Sequence, residues 1–117
     1  MITFYGYDKC STCRMAKTFL QQRGIAFNQR DITQTPPPKQ LLERILASGE
    51  YALSELFNRS GELYRSLNMK DRIKTLPQPD LLSLLSAHGK LIKRPVISDG
   101  ARHVVGFDPE RMTRFWG

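Results

Sequence analysis

Apolar and polar positions alternate in short blocks along the first third of the chain. Residues 2–5, ITFY, are β-branched and aromatic and predict a short buried strand. Met15, Ala16, Phe19 and Leu20 then recur at helical spacing, with Gly24 as the expected C-cap. Ile25 to Ile32, IAFNQRDI, predicts a second strand. A β-α-β unit this short favours parallel pairing through a right-handed crossover.

TQTPPP closes that unit, with Thr35 the expected N-cap and Pro36 the first residue of a helix reaching to about Ala47. Residues 50–90 alternate helical patterns with polar breaks, in ALSELF, SGELYRSL and PDLLSLLSAHG. Leu81, Leu82, Leu84 and Leu85 make an apolar helical face that Gly89 closes. RPVISD and RHVVGF predict a third and a fourth strand, with Asp99-Gly100 at the centre of a tight turn between them. Asp108 is placed to cap a last helix, with Pro109 at its first position and Glu110 in its first turn. The expected fold is α/β and thioredoxin-like. A four-stranded mixed sheet is interrupted by an all-helical insertion at about 36–90, within one domain spanning 1–117.

Composition narrows the class. At 117 residues, 40% hydrophobic and 25% charged, the chain suits a globular domain and is too apolar for a disordered one. No apolar run approaches the roughly 20 residues of a membrane helix. The N-terminus lacks a secretory leader's basic flank and long apolar stretch, so a cytoplasmic location is expected. The net charge of +7 suits nucleic acid, an acidic protein surface or an oxyanion. Lys and Arg are scattered, with no run of four and no aromatic interleaving, so direct nucleic-acid binding is not expected.

The chemistry centres on KCSTCR, which holds both cysteines of the chain, Cys10 and Cys13. Three readings compete. Buried small hydrophobes fit a polar turn poorly. Zinc needs about four ligands, and only His88 and His103, in different elements, remain as partners. Both histidines are expected at the surface. The third reading is a working dithiol. Cys10 falls where the first strand has ended and a helix begins, and unsatisfied N–H groups there favour a thiolate. Lys9 and Arg14 flank the pair, and Cys13 lies one turn on, on nearly the same face. A Cys-x-x-Cys opening a helix after a strand reads as a redox motif. Structural disulfides are rare in the reducing cytosol, which strengthens that reading.

Four motifs together resemble the arsenate reductase (ArsC-like) family: CSTCR, FNRSGELYRSLN, KLIKRPVI and VGFDPE. These are thioredoxin-like reductases that work with glutathione and glutaredoxin. The chain is especially similar to the family's regulator branch, typified by the redox-sensing transcription factor Spx. The resemblance implies that Cys10 is the nucleophile and that Arg59 and Arg94 match arginines that hold the oxyanion. Arginine's planar fork suits that task, and its charge favours the Cys10 thiolate. Pro95 matches the proline that is cis in thioredoxin-like proteins. Ser11, Thr12 and nearby backbone N–H groups would complete an oxyanion cradle at the helix start, with Arg14 beside them.

Two departures bear on function. The third arginine of the reductases is replaced by Phe107, and Cys13 is present as in the regulators. Tyr51 stands where Spx has a glycine that contributes to its RNA polymerase contact. The leading expectation is a thiol–disulfide redox protein in which Cys13 resolves the adduct on Cys10. Its reductant would be glutathione with glutaredoxin, or thioredoxin; no metal or organic cofactor is implied. The alternative is a regulator that binds RNA polymerase under control of a Cys10–Cys13 disulfide. A monomer is expected in either case.

Overall fold

The computed structural model describes all 117 residues, which form two compact units, 1–32 with 94–117 and 33–93. The first contains β1 (Ile2–Gly6), α1 (Ser11–Gln22), β2 (Phe27–Asp31), β3 (Val96–Ser98), β4 (His103–Val105) and α6 (Pro109–Trp116). The second contains α2 (Lys39–Ala47), α3 (Glu62–Ser66), α4 (Met69–Thr75) and α5 (Gln78–Ala87), with 3-10 turns at Leu53–Leu56 and Gly89–Leu91.

In the first unit the strands lie in the order β2-β1-β3-β4. β1 runs parallel to β2 and antiparallel to β3, which pairs antiparallel with β4. This is the mixed four-stranded sheet that the element order predicts. Alternate residues on a strand share a face, so Ile2 and Phe4 join Ile97 and Val104 in one buried cluster. Cys13, Ala16, Phe19 and Leu20 of α1 and Met112 of α6 complete it. Tyr5, Val96 and Val105 are buried as well. Edge strand β2 is mostly exposed and carries Asn28, Gln29, Arg30 and Asp31, a polar edge that discourages further strand pairing.

The second unit is helical apart from one antiparallel bridge between Phe57 and Ile92. α2 packs on α5, burying Leu41, Leu42 and Ile45 with Leu81, Leu82 and Leu85. Lys39 Nζ donates to Ser83 Oγ across the pair at 2.9 Å.

Four local expectations need correction. α2 starts at Lys39 with Pro38 as N-cap, rather than at Pro36 behind a Thr35 cap. A residue that precedes proline is pushed out of the helical region, so no helix can start until the last of three prolines has passed. The β3–β4 turn is centred one residue later than expected. Asp99 N–H bonds Arg102 O at 3.2 Å, leaving Gly100 and Ala101 at the tip. Gly100 takes a φ of +96°, which glycine adopts without strain. Asp99 Oδ1 accepts from the N–H groups of Ala101 and Arg102.

His103 is buried, not on the surface. Its Nδ1 lies 2.8 Å from the buried hydroxyl of Ser98, its cross-strand partner. β4 is buried along its whole length, and the serine satisfies the ring there. His88 is exposed. Finally, Met15 points outward from α1 and is 47% exposed; Cys13 takes the place expected of it on the buried face. The Asp108 cap matches expectation, its Oδ1 accepting from Arg111 N–H at 3.0 Å behind Pro109.

Candidate functional site

β1 ends at Gly6, and Tyr7 to Lys9 turn the chain onto α1. Cys10 is the N-cap of that helix, in extended backbone geometry. Its N–H donates to Tyr7 O at 3.1 Å, and its carbonyl accepts from Arg14 N–H at 3.0 Å. Its sulfur does what a serine or aspartate usually does at an N-cap, accepting from Cys13 N–H at 3.4 Å. No acidic residue stands in the first turn to offset the positive end of the helix. At Gly6, which ends β1, a Cβ would collide with the Phe4 ring and stand in ordinary contact with Cys13 Sγ, at 3.4 Å.

The two thiols are pulled in opposite directions. Burial pushes the Cys10 thiol up, but it is outweighed by hydrogen bonds from the Cys13 thiol, the Thr12 hydroxyl and Cys13 N–H, with the charge of Arg94. Cys10 therefore lies below its ordinary value. Burial pushes Cys13 up to about 12, helped by the hydrogen bond it gives Cys10 and by the negative charge of the Cys10 thiolate. Cys10 is half-buried and Cys13 buried, which suits an attacking sulfur and a reserve one.

Thr12 links this pair to the loop before β3. Its Oγ1 lies 3.0 Å from Cys10 Sγ and donates to Arg94 O at 3.2 Å. Arg94 is half-buried, and its guanidinium carbon sits 5.6 Å from the Tyr7 ring centroid. The peptide that follows it, Arg94–Pro95, is cis. Pro95 O then accepts from Gly106 N–H at 2.7 Å, tying this loop to the end of β4.

Cys10, Thr12, Cys13 and Arg94 thus lie together in the first unit. Ser11 opens α1 and is exposed. Arg14 is exposed too, and its Nη1 donates to Asp8 O at 3.4 Å; the charge that acts on Cys10 is that of Arg94. Arg59 is an exposed residue of the second unit, between the Phe57–Ile92 bridge and α3. One residue went unremarked in the sequence. Tyr7 supplies both the carbonyl that anchors Cys10 and a ring for Arg94, and its signal was an aromatic residue in the turn before the motif. Met15, with Phe107, lines a groove along α1. No group of three or more His, Cys, Asp or Glu residues is arranged to hold a metal ion. No helix is long and apolar enough to cross a membrane.

A cysteine capping the first helix behind the first strand of a four-stranded mixed sheet puts this chain among the thioredoxin-like α/β proteins. Comparison narrows the class: residues 5–115 match the model of the ArsC family, and the chain belongs to that family. It is similar to the uncharacterized protein YusI of Bacillus subtilis, 38% identical over 115 residues and 98% of each chain. It is also similar to the global transcriptional regulator Spx of Enterococcus faecalis, 33% identical, with 98% of this chain matching 86% of that one. Among solved structures, one described as a possible arsenate reductase from Streptococcus mutans superposes with a TM-score of 0.85 at 38% identity. The match covers 92% of this chain and 91% of that one.

Proposed function

We propose that this chain is a thiol–disulfide redox protein with reductase-type chemistry, Cys10 being the nucleophile and Cys13 the resolving thiol. The observation that carries the reading is the opposed tuning of the two sulfurs, Cys10 held below its ordinary value and Cys13 raised to about 12. While both are free, Cys10 is the nucleophile at neutral pH; once Cys10 carries the adduct, the hydrogen bond and negative charge from Cys10 that help to raise Cys13 are gone. The Cys10 thiolate attacks an oxidised substrate and a covalent adduct forms, expelling a thiolate where the substrate is a disulfide and hydroxide or water where it is an oxyanion. Cys13 then attacks Cys10 Sγ, losing its proton and releasing the remaining part of the substrate with both electrons. An external dithiol, of the glutaredoxin or thioredoxin class, or glutathione reduces the resulting disulfide. Arg94, Thr12 and Ser11, all of the first unit, are the groups proposed to steady an oxyanion, and the protein is expected to act in the cytoplasm.

Two measurements test this. Cys10 should alkylate with iodoacetamide much faster than Cys13 at pH 7. Mild oxidation should yield one intramolecular Cys10–Cys13 disulfide by mass spectrometry. Two free thiols after oxidation, or only intermolecular dimers, would sink the dithiol mechanism.

A second reading has its own support in the relationship to Spx together with Phe107 and Cys13. In it the chain is a regulator that binds RNA polymerase, with the same disulfide as its switch. Capture of RNA polymerase from extract by one redox form alone favours this reading. Arsenate turnover with a thiol reductant favours the first.

A further inference from the structure

The outward turn of Met15 has a counterpart. Met15, Phe19 and Phe107 form the apolar wall of an open groove of about 500 Å³ along α1, with Ser11 at one end and Arg14 on its rim. Ser11 follows Cys10 directly, so the groove leads away from the nucleophile along its own helix. Met15 is one of only two large hydrophobic side chains left exposed in the molecule; the other is the terminal Met1. A tetrahedral oxyanion displaces a few waters, on the order of 100 Å³, and gains nothing from methionine or phenylalanine walls. The groove is too large and too apolar for such a substrate.

We infer that this groove binds a short segment of a protein substrate that carries an oxidised cysteine, with an apolar residue on Met15 and Phe107 and a carboxylate near Arg14. The inference rests on the thiol–disulfide reading of Cys10 and adds the substrate class. Two features of the surface select that occupant. The groove is lined by Ser11, the residue that follows Cys10 at the start of α1, so a segment lying in it ends one residue along the chain from the nucleophile. Its charged group is a cation, the first turn of α1 holds no acid, and the chain carries +7 overall. An acidic and apolar flank therefore complements it.

The test uses the Cys13→Ser protein, which stops at the first step. Two peptide disulfides of 5-thio-2-nitrobenzoate serve as probes, one with glutamate and leucine beside the cysteine and one with serine on both sides. The Cys10 thiolate attacks the peptide sulfur, forming a Cys10–peptide disulfide and expelling the yellow thionitrobenzoate anion. The expected result is saturable single-turnover release, with a second-order rate constant about tenfold higher for the Glu-Leu peptide, the discrimination an apolar pocket gives. Met15→Ser, at an exposed position that threatens no core packing, should cut that ratio to less than about twofold through the peptide concentration that half-saturates the release. Arg14→Glu should erode it by penalising the glutamate. Comparing two peptides within each variant cancels any change in Cys10 itself. Equal rates for the two peptides, or a ratio unchanged by Met15→Ser, would overturn the groove while leaving the thiol chemistry standing. A faster reaction with the mixed disulfide of glutathione and 5-thio-2-nitrobenzoate, which has the same leaving group, than with the Glu-Leu peptide would also overturn it. No release from any disulfide would remove the thiol reading and the groove together.

Discussion

The hydroxyl proton of Thr12 has two acceptors within reach and can serve one at a time. While Cys10 is a thiol, its S–H can donate to Thr12 Oγ1, and Thr12 donates to Arg94 O. Once Cys10 ionises, the hydroxyl does better turned onto the sulfur, because a hydrogen bond to a charged acceptor is roughly twice as strong as one between neutral groups. Thiolate formation therefore loosens the tie to the Arg94 carbonyl. Thr12→Val should lower the Cys10 alkylation rate at pH 7 by roughly five- to tenfold, the value of one such bond, and Thr12→Ser should restore most of it. The pH dependence has a definite sign. Cys10 lies below its ordinary value, so its reactivity holds above that lowered value and falls as pH drops through it. Thr12→Val should move this fall to higher pH, read from the alkylation rate profile. A profile identical to the unsubstituted protein would show that Thr12 is a bystander. Arg94→Ala should move it the same way through loss of the nearby positive charge, and Arg94→Lys should recover part of the effect.

Among the elements, α6 shows how a short helix is held at both ends. Asp108 caps its start. Near its end, Trp116 Nε1 donates to Asp99 Oδ2 at 2.9 Å and Phe115 O accepts from Arg102 Nη1 at 2.8 Å, fastening the helix to the β3–β4 turn. Burial raises the Asp99 carboxyl, but the bonds from Trp116, Arg102 and Ala101 and the charge of Arg102 win, and it sits below the usual carboxylate range. The ionised form is the one the fold favours, so its stabilisation is complete above a carboxylate's unfolded value of about 3.9 and is lost as pH falls through the lowered folded value. Trp116→Phe should therefore cost about 0.5–1 kcal/mol at pH 7, discounted for an acceptor that is only partly buried, with a smaller gap at pH 3. Urea unfolding at both pH values checks it, and an equal loss at both would mean that the ring's packing, not its hydrogen bond, matters. The start of α6 was legible because Asp108-Pro109 is a local signal that needs no tertiary information. The start of α2 was less so, since each residue of the Pro36–Pro38 run suits a first helical position and only the restriction on the residue before proline excludes the first two. The outward face of Met15 was not legible at all. Methionine and cysteine compete for one helical stripe, and the sheet behind Gly6 selects Cys13. The cysteine pair itself was evident from spacing, while the cation acting on it came from 80 residues further along, beyond the reach of any local pattern.

For the molecule as a whole, position 107 weighs reductase against regulator. The family resemblance puts a third oxyanion-binding arginine there, and this chain has a phenylalanine that packs against the core of the first unit and faces the same groove as Ser11. A phenyl ring gives an oxyanion no hydrogen bond. The missing contact is charge-assisted and contributes on the order of 1.5–3 kcal/mol, so arsenate turnover should be at least roughly tenfold weaker than in a three-arginine reductase. Phe107→Arg puts a cation on the wall of the groove that Ser11 also lines. If the chain descends from a line of arsenate enzymes, the variant should gain arsenate turnover by at least about tenfold in a coupled assay with glutathione and glutaredoxin, or with thioredoxin. It should at the same time lose preference for an apolar peptide flank, because the ring that received it is gone. Efficient arsenate turnover by the unsubstituted protein, with no gain in the variant, would show that the third arginine was never required. Absence of turnover in both, combined with redox-dependent capture of RNA polymerase, would assign the scaffold to regulation, with Cys10 and Cys13 as its sensor.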